Sequence, residues 1–325
     1  MKISVVIASY NGASYIADQL LSIINQTTPP HEIIVSDDSS TDSTADIVAA
    51  IAAEHRNIDI CFSTNPPPHG VDRNFEHAIS LASGDVIFIA DQDDVWLPDR
   101  IESMIHVFEK SSIPVATFCD SRIVDSKLND LGYTHLQSRG FSSPAEVFED
   151  NCMGFLKRVP PAGHDMAFHS EFRKLLLPFP ELDDCYDTWI GMVLFAVGAW
   201  KLSAAAPLTL FRRHSGSVSQ SGLIPSWKEK IAQAKRSIAD DTAGWNAELC
   251  SKLIERTGNL LTPEMRKLLE ARQAHSQARS HMNVPFFRRL KMVLKETLNG
   301  NYFRFGRSYQ NIIQDLFFRH PESKK

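Results

Sequence analysis

Asp85-Val86-Ile87-Phe88-Ile89-Ala90 runs without a break into Asp91-Gln92-Asp93-Asp94-Val95-Trp96. The first six residues read as a buried strand, because their apolar character is nearly continuous and of β type. Pro98 then opens a helix expected from Asp99 to Lys110. Asp91, Asp93 and Asp94 therefore stand at the carboxyl end of a strand. Carboxylates packed that closely repel one another and lose solvation, so something must compensate. A divalent cation held by oxygen ligands is the usual answer. A loop rich in helix-capping Asp is the bland reading of the same letters.

Upstream, the same alternation of strand, polar turn and helix recurs. Ile3 to Ala8 is a strand, broken by Ser9-Tyr10-Asn11-Gly12, with a helix from about Ala13 to Asn25. Glu32 to Ser36 is the second strand, closing on Asp37-Asp38-Ser39-Ser40-Thr41-Asp42, with a helix over Ser43 to Glu54. Ile58 to Phe62 is the third, followed by a Pro/His/Gly loop and a helix over Asp72 to Ala82. This alternation predicts an α/β fold with a doubly wound, mostly parallel sheet and right-handed crossovers. Ser9-Tyr10-Asn11, Asp37-Asp38 and Asp91 to Asp94 then share one carboxyl edge, where open α/β sheets bind ligands.

The second half is less regular. A strand is expected over Val115 to Asp120, loops over 133 to 165, a short strand over Met166 to Phe168 and a buried helix over Trp189 to Trp200. A second acidic cluster, Asp183-Asp184-Cys185-Tyr186-Asp187, precedes that helix. Leu208 to Phe211 reads as a strand leading into Arg212-Arg213-His214-Ser215-Gly216-Ser217. From Pro225 the pattern is helical, with Thr262-Pro263-Glu264 as one clear helix start. A boundary near residue 222 divides an α/β region, 1–222, from a helical C-terminal extension, 223–325. The first region divides again into a regular half, about 1–120, and a less regular half, about 121–222, which the resemblance described below makes the nucleotide-sugar and acceptor halves.

Composition is that of a globular chain, with 43% hydrophobic and 22% charged residues among 325. A net charge of -5 speaks against nucleic acid as a partner. From His281 onward nine Lys and Arg face three Asp and Glu, a net +6, so the remaining residues carry -11. The five cysteines are widely spaced and odd in number, which suits free or buried thiols in a reducing cytoplasm. The N-terminus enters a strand directly, without the pattern of a secretory signal. The longest charge-free apolar run, Thr188 to Trp200, is shorter than the roughly 20 residues that cross a bilayer. No G-x-G-x-x-G or G-x-x-x-x-G-K-[ST] occurs, which counts against a dinucleotide dehydrogenase or a nucleoside triphosphatase. Two acidic loops, a metal site and a distant third carboxylate suit transfer of a group from a nucleotide diphosphate.

Val5 to Gly12, Ile34 to Asp42 and Gly84 to Trp96, in this order, resemble the family 2 glycosyltransferases of GT-A fold. The form Ala-Asp-Gln-Asp-Asp-Val-Trp is similar to the rhamnosyltransferase-like branch of bacterial surface polysaccharide biosynthesis. Gly163 to Phe168, Tyr186 to Trp189 and Phe211 to Val218 extend the resemblance to about residue 220. The resemblance implies an inverting transfer of a sugar, rhamnose among the candidates, from a dTDP-, UDP- or GDP-linked donor to a glycan or lipid-linked acceptor. It implies that Ala8, Ser9 and Tyr10 frame the nucleoside and that Asp38 accepts an N–H of the base. Arg73 and Arg212 would contact the nucleotide. Asp91 would hold the ribose or a metal water, and Asp93 and His214 would hold Mg2+ or Mn2+. Asp187 would be the base, with Asp183 and Asp184 as competitors, and His164 and Trp189 would face the acceptor. Asp94 is expected to cap a turn and Trp96 to lie in the core.

In the tail, Phe286, Leu290, Val293 and Leu294 share a helical face with Arg288, Arg289, Lys291 and Lys295 around it. Residues 284–325 could thus lie on an anionic membrane at the inner face of the cell membrane, or pack on the catalytic region or in a homodimer. A catalytically silent nucleotide-sugar-binding or scaffolding subunit is the competing function. A haloacid-type phosphatase fails because Asp94-Val95 does not continue that pattern.

Overall fold

In the computed structural model, residues 1–149, 153–156, 161–182, 186–202, 206–216, 227–306 and 309–318 are described. Asp183, Asp184, Cys152, Cys185 and Ser217 lie outside them. The chain forms two compact units, Met1–Cys152 with Pro160–Leu223, and Met153–Val159 with Ile224–Lys325.

The first unit begins β1 (Ile3–Ser9), α1 (Ile16–Ile24), β2 (Glu32–Asp37), α2 (Thr44–Glu54), β3 (Asp59–Thr64), α3 (Val71–Leu81) and β4 (Val86–Asp91). It continues β5 (Val95–Trp96), α4 (Arg100–Glu109), β6 (Ala116–Phe118), β7 (Asp120–Val124), β8 (Asp130–Thr134), α5 (His135–Ser138) and α6 (Pro144–Glu149). It closes with β9 (Met166–His169), α7 (Arg173–Leu176), α8 (Tyr186–Ala196) and β10 (Pro207–Arg212).

Strands β3, β2, β1 and β4 are parallel neighbours in that order, and β9, antiparallel to β4, joins them to β6, which runs in their direction. The near-continuous apolar runs are explained by cover on both faces. Ile3, Val5 and Ile7 share a core with Ile16, Leu20 and Ile23 of α1, Val48 of α2 and Met104 and Phe108 of α4. Alternation sends Val6, Ile34, Ile87 and Ile89 to the opposite face, and α3 packs against β1 and β2. Each such aliphatic side chain contributes about 1.5–3 kcal/mol when fully buried. Register aligns Ser9 with Asp37 and Ala8 with Asp91, so the polar turns emerge together at one edge.

Four expectations need correction. The helix expected from Ala13 begins at Ile16, because the Gly12 carbonyl first accepts the Tyr15 and Ile16 amides in a turn. The helix expected to open at Pro98 begins at Arg100, after Asp99. The helix expected over Trp189 to Trp200 spans Tyr186–Ala196 and stops before Gly198, whose φ of 68° suits a glycine. The strand expected over Val115 to Asp120 divides at Cys119, and β7 joins a second sheet of order β5-β10-β7-β8. The Cys119 amide donates to the Asp165 carbonyl at that break (3.1 Å).

The second unit holds α9 (Trp227–Ala239), α10 (Thr242–Thr257), α11 (Pro263–Ser280), α12 (Phe286–Leu298), α13 (Asn301–Phe305) and α14 (Tyr309–Phe317). Thr262 caps α11 by accepting the Met265 amide, with Pro263 at the first position. Among the described residues no helix is long and apolar enough to cross a membrane. Cys61, Cys119 and Cys250 are free thiols.

Glu32 ties the opposite, amino end of the sheet together. Its carboxylate accepts the Ser83 amide (2.6 Å) and the hydroxyls of Ser83 (2.8 Å) and Ser4, with Lys2 Nζ at 4.0 Å. Burial alone would raise its pKa, but the bonds from Ser4 and Ser83 and the charge of Lys2 outweigh it and lower the pKa below 4.5. A carboxylate lowered in this way stabilises the fold above its unfolded pKa and ceases to as pH falls through the folded one. Glu32→Gln should therefore cost about 1–3 kcal/mol at neutral pH. Urea melts should show that gap narrowing in acid; a gap independent of pH would refute the assignment.

Candidate active site

The edge site is assembled from loops that hold one another by side chain to backbone bonds. Gln92 clamps the first loop: its Oε1 accepts the Tyr10 amide (3.0 Å) and its Nε2 donates to the Tyr10 carbonyl (3.1 Å). A Cβ on Gly12 would run into the Gln92 amide, so a larger residue there would displace that clamp. Asn11, at φ 48°, accepts the Thr41 amide through Oδ1 (2.9 Å) and donates its own amide to Ser40 Oγ (2.8 Å). The Tyr10 ring is left 54% exposed beside half-buried Ala8, an open platform at the strand end.

Ser9 is buried, with its hydroxyl on Asp37 Oδ1 (2.8 Å) and its carbonyl accepting the Asp38 amide and Asn74 Nδ2. Asp37 accepts the Ser40 amide and hydroxyl, which is the turn-capping role. Asp38 instead accepts the His69 amide on Oδ1 (2.8 Å) and the Gly70 amide on Oδ2 (2.9 Å). Each carboxylate oxygen has a second lone pair, so Asp38 keeps capacity for a further donor. Arg73, partly exposed on α3, donates to Glu76 and to the Phe179 carbonyl (3.2 Å).

The three carboxylates after β4 diverge. Asp93 Oδ2 lies 2.7 Å from His214 Nε2, with both side chains retaining some exposure at 20% and 13%. Burial and Asp91 raise the Asp93 pKa, against the pull of His214. Asp94 is fully buried, with Oδ1 accepting the Arg212 amide (3.0 Å). Burial pushes its pKa well up, with His164 opposing and Asp93 and Asp91 adding to the rise. Asp94 thus links two strands and does not cap a turn. Asp91 turns the other way: its Oδ2 is 3.4 Å from His164 Nδ1, and its Oδ1 is 3.4 Å from the Tyr186 hydroxyl, which can donate to it.

Three side chains stand elsewhere than the resemblance implied. Trp189, expected against an acceptor, is 0% exposed and its indole N–H donates to the Leu176 carbonyl (2.8 Å). His164, expected at the same surface, is a buried cation. Burial opposes its protonation, but Asp165, Asp94 and Asp91 outweigh that and push its pKa up to about 10. Phe211 stacks on its ring at 4.6 Å. Arg212, expected on a nucleotide, is buried and donates to the Asp93 carbonyl (2.8 Å), the Ser126 carbonyl (3.2 Å) and Asp18 (2.8 Å). It braces the acidic loop. Trp96 lies in the core, at 2% exposure.

Asp187 is half-buried in the first turn of α8, and its Oδ1 accepts the Thr188 amide (2.5 Å) and hydroxyl (3.2 Å). Burial raises its pKa, Arg139 and the Thr188 bonds oppose, and Asp91 adds to the rise. Sequence reading missed Gln92, Arg139 and Tyr186 as parts of the site. Gln92 and Arg139 carried no signal, and Tyr186 stood out only as a replacement for a common His.

Among the described residues, one set of potential metal donors is Asp91, Asp94 and His164, and another is His135, His164 and Asp165. Both use a His164 that the surrounding carboxylates already hold as a cation, and both are largely buried. Outside both sets, Asp93 and His214 form a partly exposed pair, and a carboxylate beside an imidazole fits a divalent transition ion.

Gly163 lies under the Tyr186 ring, where a Cβ would meet ring atoms at 2.5–2.8 Å. The ring also stacks on Phe75 at 4.3 Å. Gly163→Ala should destabilise the fold by about 1–3 kcal/mol through overpacking. In a Tyr186→Ala background the same substitution should cost less than about 0.5 kcal/mol, since the clashing ring is gone. Denaturant melts of the four-member cycle decide; additive costs would show that the two positions do not meet.

The curated relatives bear on this geometry. A beta-1,3-glucosyltransferase of Escherichia coli, described as UDP-Glc:alpha-D-GlcNAc-diphosphoundecaprenol beta-1,3-glucosyltransferase WfaP, is 29% identical over 71% of this chain and 84% of its own length. The dTDP-rhamnosyl transferase RfbG of Shigella flexneri is 36% identical over 30% of this chain and 35% of its own. The chain spans less than half the length of several of the curated relatives it matches. Among solved structures, the mannosyltransferase PcManGT from Pyrobaculum calidifontis in complex with GDP-Man and Mn2+ aligns with a TM-score of 0.51. That match is 17% identical over 97% of this chain and 85% of the other. The likeness identifies the α/β architecture as the GT-A fold. The model of Glycosyl transferase family 2 matches residues 4–171, just over half of the 325. With the parallel sheet, its acidic edge and that match together, the chain belongs to glycosyl transferase family 2.

Proposed function

We propose that this chain is an inverting, metal-dependent glycosyltransferase that moves a sugar from a nucleotide diphosphate to an acceptor hydroxyl. The observation that carries this reading is the approach of two distant acidic loops. The Tyr186 hydroxyl reaches Asp91 at 3.4 Å, which draws Asp187 toward the carboxylates after β4.

Asp187 is assigned as the base. Its half-buried carboxylate with a raised pKa is better matched to neutral pH than an ordinary Asp. It takes the proton of the acceptor hydroxyl as the oxygen bonds to the anomeric carbon. The bond from that carbon to the diphosphate oxygen breaks on the opposite face, and the diphosphate leaves with the electron pair. Tyr10, Ala8 and the main chain of Ser9 offer a surface for the nucleoside, and Asp38 an acceptor for an N–H of the base. Arg73 is placed to meet a phosphate or ribose. Asp93 and His214, with Asp91 nearby, would hold the cation, and a mixed carboxylate–imidazole pair favours Mn2+ over the oxygen-preferring Mg2+. Such an ion supplies Lewis-acid stabilisation of the departing diphosphate.

The GDP-Man and Mn2+ of the Pyrobaculum structure support a nucleotide sugar and a divalent cation. The relatives' printed sugars differ, glucosyl in one and rhamnosyl in the other. The donor is therefore read as a hexose or 6-deoxyhexose, rhamnose included, on dTDP, UDP or GDP. The diphosphoundecaprenol of the E. coli name supports a glycan or lipid-linked acceptor in surface polysaccharide assembly.

Asp187→Asn should lower transfer by about 10²–10⁴-fold while nucleoside diphosphate still raises the melting temperature with Mn2+ present. Protonation removes the base, so the acidic limb of kcat/KM should fall at a higher pH than an ordinary carboxylate would give. Normal turnover by purified Asp187→Asn would eliminate the assignment. Asp93→Ala should keep its fold and lose both the Mn2+-dependent shift and transfer.

A further inference from the structure

Helix α12 exposes an apolar stripe that its own unit does not cover. Its packing side carries Val293 and Glu296, both buried. Phe287, Leu294 and Leu298 repeat at i, i+7 and i+11, which places them within about 40° of one another around a 3.6-residue helix. They are 78%, 51% and 86% exposed. Lys291, Lys295 and Arg288 lie along one flank of this stripe, are exposed, and pair with no acidic group among the described residues. The face read from sequence was Phe286, Leu290, Val293 and Leu294. The structure divides that set, burying Val293 and leaving Leu294 outside.

Helix α14, packed against α12, repeats the arrangement. Tyr309, Ile313 and Phe317 follow at i, i+4 and i+8 and are 70%, 52% and 70% exposed. Phe303, itself 40% exposed, meets the Tyr309 ring at 5.6 Å, and Arg304 beside it is exposed.

We propose that the outward stripe of α12, Phe287, Leu294 and Leu298 with Lys291, Lys295 and Arg288, seats this protein on an anionic lipid surface. Single exposed apolar residues need no account, but a helical row of them does. Charge selects the occupant. The segment from His281 carries +6 in a chain whose remainder carries -11. A lipid headgroup layer of negative charge complements that segment, and the stripe enters the acyl boundary while the lysines meet phosphate. A second copy docked face to face would instead set Lys291 and Lys295 against their own counterparts. The inference does not depend on the proposed reaction, since its readout is partition and not turnover.

The full-length protein should float with vesicles containing a quarter or more of phosphatidylglycerol and remain behind with pure phosphatidylcholine. The triple variant Phe287→Ser, Leu294→Ser, Leu298→Ser should lose flotation while its unfolding midpoint stays unchanged, because the three side chains are exposed. Lys291→Gln with Lys295→Gln should weaken partition by on the order of tenfold or more, and added salt should mimic it. Flotation by the triple variant equal to that of the parent chain would overturn the proposal. So would a parent that never floats, or one that sediments as a dimer which the triple variant dissolves, since the stripe would then belong to a second copy.

Discussion

The repulsion among Asp91, Asp93 and Asp94 is the constraint around which the first unit is arranged. Removing a carboxylate from water is expensive unless a cation or donors replace the solvent. Each acid here has its own replacement: His164 for Asp91, His214 for Asp93, and the Arg212 amide with the His164 charge for Asp94. Those partners come from the loop before β9 and from β10, so the acidic run can be buried only where both arrive. The second sheet follows from this. β5 begins one residue after Asp94 and pairs antiparallel with β10, which carries Arg212. Arg100, fully buried, then reaches the Thr209 hydroxyl and the His164 carbonyl and lies 3.9 Å over Trp96, fastening α4 to the same junction.

That arrangement divides labour within the site. The His164 imidazolium sits against Asp165 as well as Asp91 and Asp94, and Ser121 and His135 complete the cluster. Its charge is consumed inside the protein, so it positions carboxylates and meets no acceptor. Asp93 and His214 keep partial access, and Asp187 sits across Tyr186 from Asp91. Asp91, at 28% exposure, is as open as Asp93 and His214, while Asp94, His164 and Asp165 are buried behind them.

How far the sequence could be read depends on the length scale of each interaction. The parallel strands β1 to β4 were legible because continuous apolar runs and helix spacing are local signals. β5 was not, having two residues whose partners lie over a hundred positions away in β10. The break at Cys119 was hidden for a similar reason, because an apolar run does not reveal that its neighbours change sheet. The acidic run that holds Asp93 is legible at the strand end and Asp187 is proposed through the resemblance, while His164 and Trp189 go to an acceptor surface because type and spacing do not report burial. Gln92 was read past, although it alone among four polar neighbours can donate and accept at once. That property is what lets it close a two-bond clamp on the Tyr10 backbone.

The second unit distributes polarity in the reverse sense. Its interior holds Arg279 bound to Asp315 through two bonds, Tyr302 donating to the same carboxylate, and His275 against Glu296 at 2.7 Å. Glu296 is on α12, so the buried contact with His275 of α11 fixes how α12 is rotated. A turn of roughly 160° about the helix axis would bury Leu294 in place of Glu296, and apolar burial alone favours that alternative. It would also leave the buried His275 imidazole, whose pKa burial lowers, without its Glu296 partner, and an unpaired buried polar group costs about 1–3 kcal/mol, as much as one leucine returns. The polar interior therefore holds the apolar stripe outside. A helix whose register is set against its own hydrophobicity is one whose exposed face has to be accounted for by what lies beyond the chain.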